Sequence, residues 1–247
     1  NACCFACDTI YVDLINSNIS DIILSNATAS NISKNISYEI SYNTGDLINN
    51  KVLDIKYNSG IVNNNIGSTI SGNTSMITNN KVDRIETNTT GDINNNIGET
   101  ILVNTGKSGN GVLSFNNVSN IENNSLVATI SNNRGKSIRL NSGQSIENNE
   151  VTEILSNSNY YIQNNKSELI QSNLDTALNG GVIESNHVSN ITSNSNFAEI
   201  KYNSGNEISS NLWSAHIRSG ATAGFSFTTP TLSIGDYAIV NMNGNTF

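Results

Sequence analysis

Few side chains in this 247-residue chain are of a type and spacing that could do chemistry. Cys3, Cys4 and Cys7 form the run CCFAC, and they are the only cysteines. Three thiolates are one ligand short of a tetrahedral zinc site. Their odd number near a terminus suits an interchain disulfide, and local packing as free thiols is the other reading. Glu147, Glu150 and Glu153 form the densest acidic group. A glycosidase needs two carboxylates converging on one bond, but nothing around these residues selects a pair, and a solvated face explains them as well. The two histidines, His187 and His216, stand in no Ser-His-Asp context, and no HExxH or phosphate-loop motif occurs. NGGVIES at 179–185 has the glycines of a calcium-binding repeat without its later Gly and Asp. No catalytic residue, metal ligand or cofactor is therefore expected. Tyr42, Tyr57 and Tyr202 each precede an Asn, and Tyr160 and Tyr161 are adjacent. Exposed, such rings could meet a sugar; packing is the plainer role.

Composition removes whole classes of partner. Charged residues are 13% of the chain and the net charge is −8, so neutralisation of nucleic-acid phosphates is not expected. Attachment to anionic lipid through Lys and Arg is not expected either, and no apolar run has the length of a membrane span. The chain opens on Asn1, as a processed product would. Asparagine makes up about a fifth of the residues, far above ordinary usage. So polar a chain could be disordered, but its apolar residues keep a register that disordered segments lack.

That register is the dominant signal. Ile40, Ile48, Ile55, Val62, Ile70, Ile77, Ile85, Ile93 and Ile101 follow one another in steps of seven or eight. Ile130, Ile138, Ile146, Ile154, Ile162, Ile170 and Leu178 follow in steps of eight, and Ile191, Ile200, Ile208 and Ile217 in steps of eight or nine. Asn lies at a fixed distance behind. One form is I-x-x-N-[ST]-[GST], as in IKYNSG at 55–60 and again at 200–205; the other is I-N-N or I-x-N-N, as in INNK at 48–51 and IENN at 121–124 and 146–149. In the first half the two forms alternate, which gives a higher period near fifteen. Asn, Gly, Ser and Thr are poor helix formers, whereas a short β-strand of Ile, Val, Thr and Tyr followed by an Asn/Gly turn fits the step. Parallel stacking of coils about 4.8 Å apart places like on like. Ile48, Ile55, Ile70, Ile77, Ile85 and Ile93 then form an apolar ladder, and Asn58, Asn73 and Asn88 an amide ladder. The expectation is an all-β, right-handed parallel β-helix. A coil of three strands, about 23 residues, is preferred to one of two strands, about 15, although the alternating motifs favour the smaller coil.

The step stretches between Ile101 and Leu113, where GKSGNG at 106–111 reads as a bulged loop, and again at Asn179-Gly180-Gly181. Residues 1–15 carry the cysteines and read as an attachment or capping segment; 16–211 is the solenoid. From 212 to 247 Asn thins out and Trp213, Phe225, Phe227 and Tyr237 appear, as in a C-terminal β cap or an oligomerisation segment.

The run of INNN, IxxNSG and NNKV units over roughly 16–211 resembles the Asn-rich β-helical repeat proteins of bacteriophage virions, of tail-fibre, tailspike or head-fibre type. The resemblance implies a location on the virion surface or otherwise outside the cell. It also implies other virion or surface-structure proteins as partners, a homo-oligomer with a trimer favoured, and contact with a host glycan. Three roles follow as expectations: a non-catalytic structural virion protein, a bacterial extracellular adhesin or filament subunit, and a polysaccharide-degrading tailspike. The first is preferred because no catalytic motif is matched.

Overall fold

The computed structural model describes residues 14–24, 30–106, 109–175, 181–195 and 197–205, and beyond them the strand segments 207–209, 216–219, 226–227 and 239–240. The chain winds as a parallel β-solenoid. Successive strands alternate between two sheets, one of 14 strands and one of 13, and every long-sheet pairing is parallel. The cysteines, the loop tip at 107–108, Leu178 and most of the 212–247 segment lie outside the described residues. The strands His216–Ser219, Ser226–Phe227 and Ile239–Val240 still pair in parallel with the coils before them.

A coil therefore has two sides and not the three preferred from sequence. Ladder spacing is 15 residues from Asn35 to Asn80 and 16 or 17 through much of the rest. Strands of the second sheet are six residues long from Ile19–Leu24 to His187–Thr192, as in Lys81–Glu86 and Ile97–Leu102. Those of the first are shorter as far as Gly181–Glu184, as in Asp46–Ile48 and Ile77–Thr78. The physical reason is the corner. Each turn consumes one residue in the left-handed region and one buried Asn, and this pair reverses the chain so fully that two corners close a coil.

The inward column of the first sheet is Ile32, Leu47, Val62, Ile77, Ile93, Leu113, Ile130, Ile146, Ile162 and Ile183; that of the second includes Ile40, Ile55, Ile70, Ile85, Ile101, Ile121 and Ile138. All are buried, and Ile55, Ile70, Ile77, Ile85 and Ile93 stand where the sequence places them. Ile48 does not: it is half-buried on the outer side, and Leu47 fills the core slot, in register with Ile32 and Val62. In both sheets the inward residue is three positions before the corner Asn (Leu47 to Asn50, Ile55 to Asn58).

A third inward column tunes the thickness of the core. Along the second sheet Val52, Gly67, Val82, Gly98, Val118, Gly135 and Val151 alternate. A Cβ added at Gly98 would lie 1.8 Å from the carbonyl oxygen of Val82, and one at Gly67 equally close to that of Val52. The backbone of each glycine coil thus seats against the valine coil beneath it, an approach that no side chain permits.

Asparagine does for the corners what isoleucine does for the core. One ladder runs from Asn18 through Asn35, Asn50, Asn65, Asn80, Asn96, Asn116, Asn133, Asn149 and Asn165 to Asn186 and Asn203. The other runs from Asn43 through Asn58, Asn73, Asn88, Asn104, Asn124, Asn141, Asn157 and Asn173 to Asn194. Asn58 shows the pattern. Its Oδ1 accepts from the backbone N–H and the Nδ2 of Asn43, at 2.9 and 3.1 Å. Its Nδ2 donates to Asn73 Oδ1 at 3.1 Å and to the Lys56 carbonyl at 2.8 Å, and its own N–H donates to Asn73 Oδ1 at 2.9 Å. The Asn58 carbonyl accepts from the N–H of Thr74. Backbone groups that a tight turn leaves unpaired are thereby satisfied inside the protein.

Both sequence irregularities lie where coils lengthen, and neither breaks a ladder. The insertion near 106–111 stretches the spacing to 20, yet Asn96 Nδ2 still reaches Asn116 Oδ1 at 3.0 Å. The insertion before Gly181 stretches it to 21, and Asn165 Nδ2 reaches Asn186 Oδ1 at 3.0 Å. The extra residues leave from the same kind of corner, just after the second ladder, and the buried Asp175 carboxylate clamps the second by accepting the Gly181 N–H at 2.7 Å.

Removing one rung tests the ladder. Asn88→Ala strips the acceptor from Asn73 N–H and Nδ2 and the donor from the Ile70 carbonyl. It should destabilise the protein by about 2–4 kcal/mol, since each buried group left unpaired costs about 1–3 kcal/mol. Thr87→Ala, one residue away and exposed, should change stability by less than about 0.5 kcal/mol. Urea unfolding followed by circular dichroism compares the two.

Candidate functional site

The residue before each ladder Asn projects outward from a left-handed backbone. Before the first ladder, from Asn35 on, these are Lys34 (φ 55°), Asn49 (59°), Asn64 (55°), Asn79 (57°), Asn95 (56°), Phe115 (55°), Asn132 (55°), Asn148 (56°), Asn164 (55°), Ser185 (55°) and Tyr202 (56°). Asn is at ease in this region because its short side chain bonds locally, although the equivalent corner of the second ladder carries Tyr42, Tyr57, Val103 and Leu140 there. That accounts for the N-N doublets of the sequence: the first Asn sits in the left-handed turn and the second enters the ladder.

The series departs from Asn at Lys34, Ser185, Tyr202 and Phe115. The Phe115 ring is 60% exposed, and it walls a shallow groove of about 360 Å³ with Asn117, Asn132, Arg134, Asn148 and Glu150. Arg134 donates from Nε and Nη2 to Glu150 Oε2 at 3.1 and 2.7 Å, and Lys166 Nζ donates to Glu150 Oε1 at 2.9 Å. Those bonds, Lys166 first and Arg134 next, hold the Glu150 carboxyl below its ordinary range. Register places Arg134, Glu150 and Lys166 directly above one another on the outer face of the second sheet.

The acids singled out in the sequence do not converge. Glu147 lies on the first sheet, where Gln163 Nε2 donates to it at 2.8 Å, whereas Glu150 and Glu153 lie on the second. Glu39, Asp54 and Lys56 form the other carboxylate-bearing cluster: Lys56 Nζ sits 3.2 Å from Glu39 and 3.1 Å from Asp54, and Ser41 Oγ donates to Glu39 at 2.7 Å. The Ser41 hydroxyl and then Lys56 lower the Glu39 pKa against the opposing effect of burial; Asp54 and then Glu39 raise that of Lys56. A carboxyl held ionised in this way suits an ion pair and not a general acid. His187 Nδ1 is 2.8 Å from Ser204 Oγ on an exposed edge. Among the described residues no three potential metal-ligating side chains cluster.

Four of these tyrosines pack on one another in two pairs. Tyr42 and Tyr57 stack with centroids 5.0 Å apart, and the Tyr57 ring covers Gly72, where a Cβ would come within 2.5 Å of it. Tyr160 and Tyr161 tilt against each other at 6.4 Å. Phe115, missed in the sequence, was marked there by one signal: an aromatic between two runs of Asn in its column, Asn49 to Asn95 and Asn132 to Asn164.

Comparison of the chain with protein-family models, curated proteins and solved structures gives no match.

The Glu39 cluster carries a pH signature. A depressed folded-state pKa contributes stability above the unfolded value of about 4.5 and loses it as pH falls through the folded value. Wild-type Tm should therefore drop slightly more than that of Glu39→Gln on acidification from about pH 6 to about pH 3. The difference should stay below about 1 kcal/mol, because the pair is partly solvated. Thermal melts of both proteins across this range measure it.

Proposed function

We propose that this protein is a non-catalytic structural element of an extracellular assembly, a fibre or surface-decorating protein of a virion. The observation that carries the reading is the pair of Asn ladders, which run from coil to coil through both insertions. Continuous hydrogen bonding along the axis makes a stiff rod whose order does not depend on a bound group. Carboxylates divided between opposite sheets, or held ionised beside lysine and arginine, support a scaffold over a hydrolase. An acidic, weakly charged surface supports exposure to solvent and to other proteins over nucleic acid.

Exposed apolar side chains on the first described coils favour self-association. Ile19 (82% exposed), Ile22, Ile36, Tyr38 and Leu53 lie on the outer face of the second sheet, where large apolar patches mark interaction surfaces. A homotrimer is the arrangement favoured for a fibre. Light scattering with and without reductant checks it. A trimer is expected, and reductant sensitivity would assign Cys3, Cys4 and Cys7 to an interchain staple. A clean monomer under both conditions would contradict the trimeric fibre.

A further inference from the structure

We infer that the groove at Phe115 is a saccharide-binding site, a deepening of the structural reading above that names the ligand class of the rod's surface. Asn is the usual residue at this corner. Asn49, Asn64, Asn79, Asn95, Asn132, Asn148 and Asn164 occupy the equivalent position with the same backbone. Phe is less at ease than Asn with a φ of 55°, because Asn can bond locally through its short polar side chain. Nor does the ring recover that by packing, being 60% exposed. Of the two aromatics in this column, Phe115 and Tyr202, Phe115 is the one that walls a groove of polar side chains.

The chemistry around the ring specifies the ligand. One apolar plate stands among planar polar groups: the carboxamides of Asn117, Asn132 and Asn148, the Arg134 guanidinium and the Glu150 carboxylate. Carboxamides offer donors and acceptors together, guanidinium only donors, and carboxylate only acceptors. A pyranose has the complementary form, with an apolar face of C–H groups and a rim of hydroxyls that both give and accept. The groove's volume is at the small end for ligand sites, and its openness at the side of a rod admits an internal stretch of a glycan. Along the axis the corner column continues as Asn79 and Asn95 on one side and Asn164 on the other. A linear glycan lying along the column would meet one carboxamide per coil, at about 4.8 Å spacing. A peptide strand is a poorer fit, since strands on either side here are already paired and leave no edge to extend. A nucleic acid is disfavoured because Arg134 and Lys166 are both engaged by Glu150.

The test uses the full chain and an array of immobilised neutral and acidic oligosaccharides, with calorimetry on the best-retained sugar. Phe115→Asn installs the residue that seven other corners already carry, so it should keep or raise Tm. It should weaken binding at least about tenfold, a change of about 1.4 kcal/mol. Arg134→Gln should weaken it too. Tyr202→Asn, which removes another exposed aromatic from the same corner column, should leave it unchanged. Retention of no sugar by the wild type, or equal binding by Phe115→Asn, would overturn the site. Release of reducing ends from a bound glycan would contradict the non-catalytic reading instead, so the two failures are distinguishable.

Discussion

The whole structure depends on one carboxamide placed where it can give and take hydrogen bonds across two coil boundaries at once. A solenoid must turn its backbone at every corner, and each turn strips N–H and C=O groups of sheet partners. Water would satisfy them only at the surface, but these corners are closed: Asn58, Asn73, Asn88 and their counterparts are essentially inaccessible. A short side chain bearing both a donor and an acceptor is the one solution that repeats along an axis without accumulating charge. Asp would stack like charges, Gln adds a methylene, and Ser offers a single oxygen. The composition of the chain is this constraint repeated at each corner.

Other features follow from that choice. Because an Asn corner reverses the chain in few residues, two suffice per coil and the solenoid is flat. A flat interior leaves room for one inward Ile, Leu or Val from each sheet. The additional Val column alternates with the small residues Gly and Ser (Gly98 with Val118, Ser167 with Val188). The side chain before each ladder Asn is driven outward, so the corner columns are the natural place for surface chemistry. Insertions are tolerated because the ladders require only that the next Asn arrive at its rung, whether after 15 residues or 21.

Much of this was legible in the sequence. The step of eight, the parallel stacking, the Ile and Asn ladders and both insertions could be read from spacing. The coil size was mistaken, although the period near fifteen pointed to it, because the repeat alone does not say how far a corner turns. Ile48 was misplaced for a related reason. I-N-N at 48–50 and I-x-x-N at 55–58 read as two motifs, but they are one: an inward apolar residue, two intervening residues, the second left-handed, then the ladder Asn. Read so, Leu47 and not Ile48 faces the core. The acidic group at Glu147, Glu150 and Glu153 looked dense in one dimension and is divided by the intervening corner in three. Phe115 could have been found only after that single motif was recognised, as an aromatic between the runs of Asn that fill most of its column.

Hydrogen exchange at the ladder asparagines tests the central claim most directly. Each backbone N–H of Asn58, Asn73, Asn88 and Asn104 donates to the side-chain oxygen of the next rung. The account predicts that these corner amides exchange as slowly as those of the Ile positions in mid-strand, only through global unfolding. Exchange at the rate of ordinary exposed turns, while the mid-strand amides stay protected, would show that the corners are held by something other than the ladders.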